Sequence, residues 1–186
     1  MADASLSQLR FPQGRIDRIY LHWSAGDYTT VYPAYHYCVT FDGERAAVVQ
    51  SNDLTLNMRD VRDDPDRPYA AHTGGRNSYA AGLSIMGMRD ARPGDFGPYP
   101  LQPPAVDALC ALAAQIADFY AIPIDADHIM THAEAALVDG YFGTADDQRW
   151  DIARLTPSPQ PLTVQDALET GARLRDAIQR ASNRSA

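Results

Sequence analysis

Asp17-Arg18-Ile19-Tyr20-Leu21-His22-Trp23-Ser24-Ala25-Gly26-Asp27 runs β-branched and aromatic residues together and then breaks into small and polar ones. That pattern predicts a strand over 17–23 running into a loop, with His22 at the strand's end. Residues 35–41 and 45–50 are two more β-rich runs, joined by Asp42-Gly43-Glu44 as a glycine-containing hairpin connection. Residues 59–68 are charged, hold two prolines and read as a surface loop, and residues 82–88 read as a buried strand. Pro103 or Pro104 opens a helix with Val106, Leu109, Cys110, Ala113, Ile116, Ala117 and Tyr120 at three-and-four spacing, which Pro123 ends. A short strand over 128–130 and a helix starting in 131–137 follow. A Gly- and Asp-rich loop over 138–148 then delivers Arg149-Trp150-Asp151. After a proline-rich linker at 157–161, Val164, Leu168, Ala172, Leu174 and Ile178 define the apolar face of a terminal helix. Strands interleaved with helices predict an α/β fold of the mixed α+β kind around one central sheet. Residues 1–160 form the main domain, and residues 161–186 are a helix packed on it.

The chain has 186 residues and is 45% apolar, enough for one domain with a real core. Its formal charge of -8, from 24 acidic and 16 basic residues, disfavours nucleic acid and anionic lipid as partners. The two cysteines, Cys38 and Cys110, fall where burial is expected and read as free thiols rather than a disulfide framework. Met1-Ala2-Asp3-Ala4-Ser5 has neither a basic nor an apolar export region, so synthesis in the cytoplasm is expected. The apolar stretch at 105–124 is interrupted by Asp107, Gln115, Asp118 and Pro123 and cannot span a membrane.

Four of the 5 histidines lie in short runs: Leu21-His22-Trp23, Tyr35-His36-Tyr37, Ala71-His72-Thr73-Gly74-Gly75 and Thr131-His132-Ala133-Glu134. A catalytic metal needs neutral imidazoles and a carboxylate converging from separate elements with one position left for water. His22 closes a strand and His132 begins a helix directly after one, both places where a scaffold presents side chains into a cleft. His128 is a rival to His132. Asp151 is the natural third ligand, in competition with Asp139, Asp146 and Asp147. Arg149, two residues before Asp151, could bind a developing oxyanion or form an ordinary surface salt bridge. Thr131-x-x-Glu134 is a capping box, which assigns Glu134 to the helix end. His36 points to the face opposite Tyr35 and reads as structural.

Taken with Phe41-Asp42-Gly43, Arg76-Asn77 and Ala81-Gly82-Leu83-Ser84-Ile85-Met86-Gly87, these runs resemble, in order from about residue 17 to 151, the zinc-dependent N-acetylmuramoyl-L-alanine amidases. This type 2 amidase and peptidoglycan-recognition family includes phage lysozyme-like members. The resemblance implies a mixed sheet flanked by helices, with a Zn2+ site at the floor of a surface groove. It implies His22, His132 and Asp151 as metal ligands and Tyr35 beside the activated water. Arg149 falls where the family often has a lysine, and His72, Arg76 and Asn77 would line the groove. Ser84 stands where some members carry a catalytic glutamate, so the phage-type branch, which relies on a tyrosine and a basic residue, fits better. The loop before Asp151 lacks the family's Pro-Gly context. The implied reaction is hydrolysis of the amide between the lactyl group of N-acetylmuramic acid and L-alanine, by a monomer acting on peptidoglycan or muropeptides without nucleic acid or membrane. A non-catalytic muropeptide-binding module and an unrelated zinc amide hydrolase are the alternatives. Release by a holin, injection into a rival cell, or recycling within the cytoplasm would each suit such an enzyme.

Overall fold

The computed structural model describes residues 9–185. A five-stranded sheet runs in the order β3-β2-β4-β1-β5, built from β1 (Arg18–Trp23), β2 (Tyr37–Phe41), β3 (Ala46–Gln50), β4 (Ala80–Ile85) and β5 (Ile129–Thr131). It is mixed: β1 pairs in parallel with β4 and β5, β4 with β2 in parallel, and only the β2–β3 hairpin is antiparallel. The helices are α1 (Pro103–Tyr120), α2 (His132–Asp139) and α3 (Val164–Ser185). Among the described residues no helix is long and apolar enough to cross a membrane.

Strand alternation separates the two jobs of the sheet. Ile19, Leu21 and Trp23 of β1 join Tyr37, Val39, Leu83 and Ile85 in the main core, under Leu109, Leu112 and Ile116 of α1 and Leu174 and Ile178 of α3. The other face carries Tyr20 and His22, with Tyr20 in a small cluster with Ala80, Met130 and Ala135. Register brings His22 beside Ser84, and Ser84 beside Cys38. Cys38 and Cys110 are both free and buried.

Local chemistry sets the element ends. Proline opens α1, and Ala121 closes it in a left-handed conformation with its N–H bonded to the Ala117 carbonyl. Thr131 and Glu134 form the reciprocal capping box of α2. Two strands depart from the sequence pattern by two residues or more. β2 begins at Tyr37 rather than 35, because Tyr35 closes a turn back onto the Tyr32 carbonyl. β4 spans 80–85 rather than 82–88: Gly87 turns away at φ +142, with the Ser24 hydroxyl bonded to both its N–H and its carbonyl. A side chain at Gly87 would also press on the Tyr99 carbonyl.

α3 departs from its predicted face. Leu174 and Ile178 are buried, but Val164 and Leu168 are 52% and 47% exposed, Ala172 is exposed, and the remaining contact positions are Ala167, Thr170, Gly171 and Ala181. The reason is close approach. A Cβ at Gly171 would overlap the Glu134 carboxylate, so the contact demands small residues that an apolar pattern does not mark. Glu134 receives two hydrogen bonds from Arg175 of α3 (2.9 and 3.0 Å) while still accepting from the Thr131 N–H. The side chains of this pair are only 13% and 6% exposed. Removing one partner of a buried pair costs about 3–5 kcal/mol because the other charge is stranded. Arg175→Ala is therefore expected to lower the free energy of unfolding by about that amount in a urea titration. A loss near that of an exposed pair, under about 1 kcal/mol, would contradict this account of how α3 is held.

Candidate metal centre

His22, His132 and Asp151 meet although the first pair is 110 residues apart and His22 and Asp151 are 129 apart. β1 carries His22 on the sheet face away from α1. The parallel pairing of β5 with β1 sets Thr131 beside Leu21, so that His132, the first residue of α2, arrives next to His22. Asp151 is tied to α2 through its own carbonyl, which accepts from the Ala133 N–H at 3.1 Å. Trp150 packs on Trp23 at 4.5 Å between ring centroids and on Phe96 at 6.2 Å, anchoring the segment. Ile152 follows in the left-handed region at φ 56 and is fully buried. A β-branched residue there costs on the order of 1–3 kcal/mol and persists only where its surroundings impose it. Here the surroundings are the Ala153 N–H bond to the Trp150 carbonyl and the Thr170 hydroxyl bond to the Ala153 carbonyl.

The three ligand atoms form a nearly equilateral triangle: His22 Nδ1 to His132 Nδ1 3.1 Å, His22 Nδ1 to Asp151 Oδ2 3.1 Å, His132 Nδ1 to Asp151 Oδ2 3.0 Å. Tetrahedral zinc with bonds of about 2.0–2.1 Å has ligand–ligand edges of about 3.3–3.4 Å, so the triangle is close to one face of that tetrahedron. Two imidazole nitrogens directly facing each other beside a carboxylate suit a shared cation better than shared hydrogens, because only one nitrogen of a facing pair can donate to the other. Burial drives the His22 pKa down to about 4, outweighing the pull of Asp151, which leaves a neutral imidazole with its lone pair free. Burial also pushes the Asp151 carboxyl up, but His132 and His22 together hold it below the usual carboxylate range. The donor set therefore fits zinc. Among the described residues this is the group of His, Cys, Asp and Glu side chains whose ligand atoms could hold a metal.

A cavity of about 450 Å3 opens on His132 and Asp151 of the trio, lined also by His72, Tyr35, Arg149 and Trp150 among others. The Tyr35 ring lies 5.2 Å from that of His22, and its hydroxyl donates to the Trp23 carbonyl at 3.3 Å. Burial, with Asp151 nearby, raises the Tyr35 pKa far above neutrality, so the phenol is a hydrogen-bond donor and not a base. Arg149 has its backbone held by Tyr141 and Gly143, while its exposed guanidinium donates to the Asp146 and Gln148 carbonyls. His72 is buried between His22 and His36, with ring centroids 5.6 and 5.5 Å away. Burial, then the neighbouring histidines, lowers its pKa well below the ordinary value. Its ring rests on the Gly82 backbone, where any Cβ would collide with it.

Other candidates lie elsewhere. Arg76 is paired with Asp139 at 2.6 and 2.7 Å and lines a separate cavity with Arg18, Arg62 and Tyr141. Asp139 is thereby committed to Arg76. Asp146 and Asp147 are exposed on the loop, and His128 bonds Asp125 at 2.7 Å. Asn77 is buried, and its Oδ1 accepts from the backbone N–H groups of His72 and Thr73, so it braces the loop. His36 is buried with Nδ1 accepting from the Gly82 N–H, the structural role its position suggested. Ser84 is buried beside His22, and its hydroxyl donates to the Ile85 carbonyl at 3.4 Å. Two residues escaped the sequence reading. Thr73 stands between His22 and His72, and Asn57 bonds the Ala70 and Asn77 carbonyls and the Ala70 N–H. Neither belongs to a residue type that announces a metal site, and only the fold brings them to it.

A family model described as N-acetylmuramoyl-L-alanine amidase matches residues 12–151. No curated protein matches the chain.

Proposed function

Because the chain belongs to the N-acetylmuramoyl-L-alanine amidase family, whose members act on peptidoglycan, we propose that it hydrolyses the amide joining the lactyl group of N-acetylmuramic acid to L-alanine with zinc held by His22, His132 and Asp151. The observation that carries this reading is the 3.0–3.1 Å triangle of those ligand atoms, with His132 and Asp151 in the wall of a cavity. Zinc there would polarise the scissile carbonyl and lower the pKa of water from about 15.7 toward about 7.

The protein's own groups supply the rest. The neutral imidazole of His22 and the anionic Asp151 keep the ligand set competent at neutral pH. Tyr35, which stays protonated, would turn its O–H from the Trp23 carbonyl, a long bond at 3.3 Å, to attacking water or to the oxygen on which charge develops. Arg149, exposed and bonded only to carbonyls of its own loop, can turn its guanidinium to that oxyanion with little structural loss. Water adds to the carbonyl carbon, the C–N bond breaks, and the alanine amine leaves with a proton. Ser84 offers a hydroxyl where a carboxylate would act as acid–base, which supports the tyrosine-and-cation branch of the family chemistry. His72 lines the cavity and is the groove residue of this reading; Arg76 and Asn77 act outside that cavity, on Asp139 and on the 72–73 backbone. Residues 1–160 carry the chemistry and α3 completes the same unit, which works as a monomer on peptidoglycan or its fragments.

Digestion of purified peptidoglycan, with products identified by mass, tests the proposal. New L-alanine amino ends without new reducing sugars are expected, and a zinc chelator should stop their release. Cleavage that survives the chelator with the metal gone removes zinc from the mechanism, and intact peptidoglycan beside a bound muropeptide points to a binding module.

A further inference from the structure

We propose that Thr73 is a positioning residue that aims His22 at the metal, accepting the hydrogen of His22 Nε2 and passing its own hydroxyl hydrogen to His72. The inference rests on the metal-centre reading and goes beyond its three ligands.

Thr73 is 1% exposed, with Oγ1 3.2 Å from His22 Nε2 and 2.9 Å from His72 Nδ1. A hydroxyl has one hydrogen to give and lone pairs to accept with. An imidazole that binds metal through Nδ1 carries its hydrogen on Nε2, so His22 must donate to Thr73. The Thr73 hydrogen is then free for only one of its two neighbours, His72 Nδ1. His72 in turn carries its hydrogen on Nε2, a buried nitrogen on the side of the Ala80 backbone carbonyl. The direction of the His22–Thr73 bond thus follows from which nitrogen of His22 faces His132 and Asp151, and donation to His72 is the use it leaves for the Thr73 hydrogen.

The loop that presents Thr73 is built to hold it still. Asn77 Oδ1 accepts from both the His72 and Thr73 backbone N–H groups at 3.0 Å. The Asn77 carbonyl is in turn held by Asn57 Nδ2 at 2.9 Å, and Asn57 is itself fully buried. Valine at 73 would keep the branched shape and leave His22 Nε2–H without an acceptor in a closed site. Loss of the partner of a ligating imidazole typically weakens metal binding by about 10–100-fold.

Zinc dissociation constants, measured by competition with a chromogenic chelator, compare the parent chain with Thr73→Val and Thr73→Ser. The valine variant is expected to bind about 10–100-fold more weakly, and the serine variant, which keeps the hydroxyl, to match the parent. Nitrogen NMR of the zinc-loaded parent should show both His22 and His72 as Nε2–H tautomers, a reading that stands even if Thr73→Val fails to fold. A zinc-binding parent equalled by Thr73→Val, or His72 found as the Nδ1–H tautomer, overturns this inference alone. A parent that takes up no zinc overturns the metal-centre reading together with it.

Discussion

Asp151→Asn is expected to strip the protein of zinc and of amide hydrolysis while leaving its fold in place. The substitution keeps volume and a carbonyl-type oxygen but removes the anion that faces His22 Nδ1 and His132 Nδ1 at 3.1 and 3.0 Å. Two neutral imidazoles alone would leave the cation undercompensated in a site where all three groups are buried. The loss of zinc affinity should exceed the about 10–100-fold that accompanies removal of a ligand's hydrogen-bond partner, because a ligand itself is lost. The Asp151 backbone carbonyl still accepts from Ala133, and Trp150 still packs on Trp23, so the segment keeps its course. Zinc content by elemental analysis, set beside the circular dichroism of both proteins, checks both halves. A variant that retains zinc and full turnover would move the third ligand to another group.

The second large effect belongs to a residue that should matter only during turnover. Arg149→Ala is expected to lower kcat by about 100- to 1,000-fold, the usual consequence of removing one donor to a developing oxyanion. Its KM should change little, since an interaction made only in the transition state leaves substrate binding alone. Arg149 is exposed and bonds the carbonyls of Asp146 and Gln148 in its own loop, so stability should move by no more than about 0.5 kcal/mol. Zinc content should equal that of the parent. Arg149→Lys, which keeps the charge but loses the planar fork, should fall between the two. Unchanged kcat in Arg149→Ala would assign oxyanion stabilisation elsewhere, with Tyr35 the first candidate because it lines the same cavity.

Much of the architecture was legible residue by residue because it depends on local periodicity and on end chemistry. The β-branched run before Ser24 is β1, the three-and-four spacing after Pro103 is α1, and Thr131 with Glu134 is a formed capping box. α3 was legible as a helix, and its Leu174 and Ile178 as core residues, but the rest of its buried side was not. Ala167 and Gly171 are set by the nearness of Ala153 and Glu134 rather than by hydrophobicity. Arg76 shows the limit at the site: the family resemblance implies a groove residue, whereas the fold pairs its guanidinium with Asp139, 63 residues on, beside a separate cavity.

From the sequence alone came the chemically competent residue types and the elements that carry them: a histidine at a strand end, another at a helix start, and acids and an arginine in the loop beyond. Among Asp139, Asp146, Asp147 and Asp151 the neighbouring Arg149 and Trp150 and the family resemblance favoured Asp151, but a loop acid has no periodicity to read and the rivals stayed open. Tertiary structure puts Asp151 alone of the four within 3.1 Å of both histidines. The parallel pairing of β5 with β1 brings His132 to His22, and the Ala133 N–H draws the Asp151 carbonyl onto α2 while the tryptophan stack and the strained Ile152 hold the carboxylate inward. A ligand set is a matter of distances near 3 Å between residues more than a hundred positions apart, and only the packed chain sets such distances.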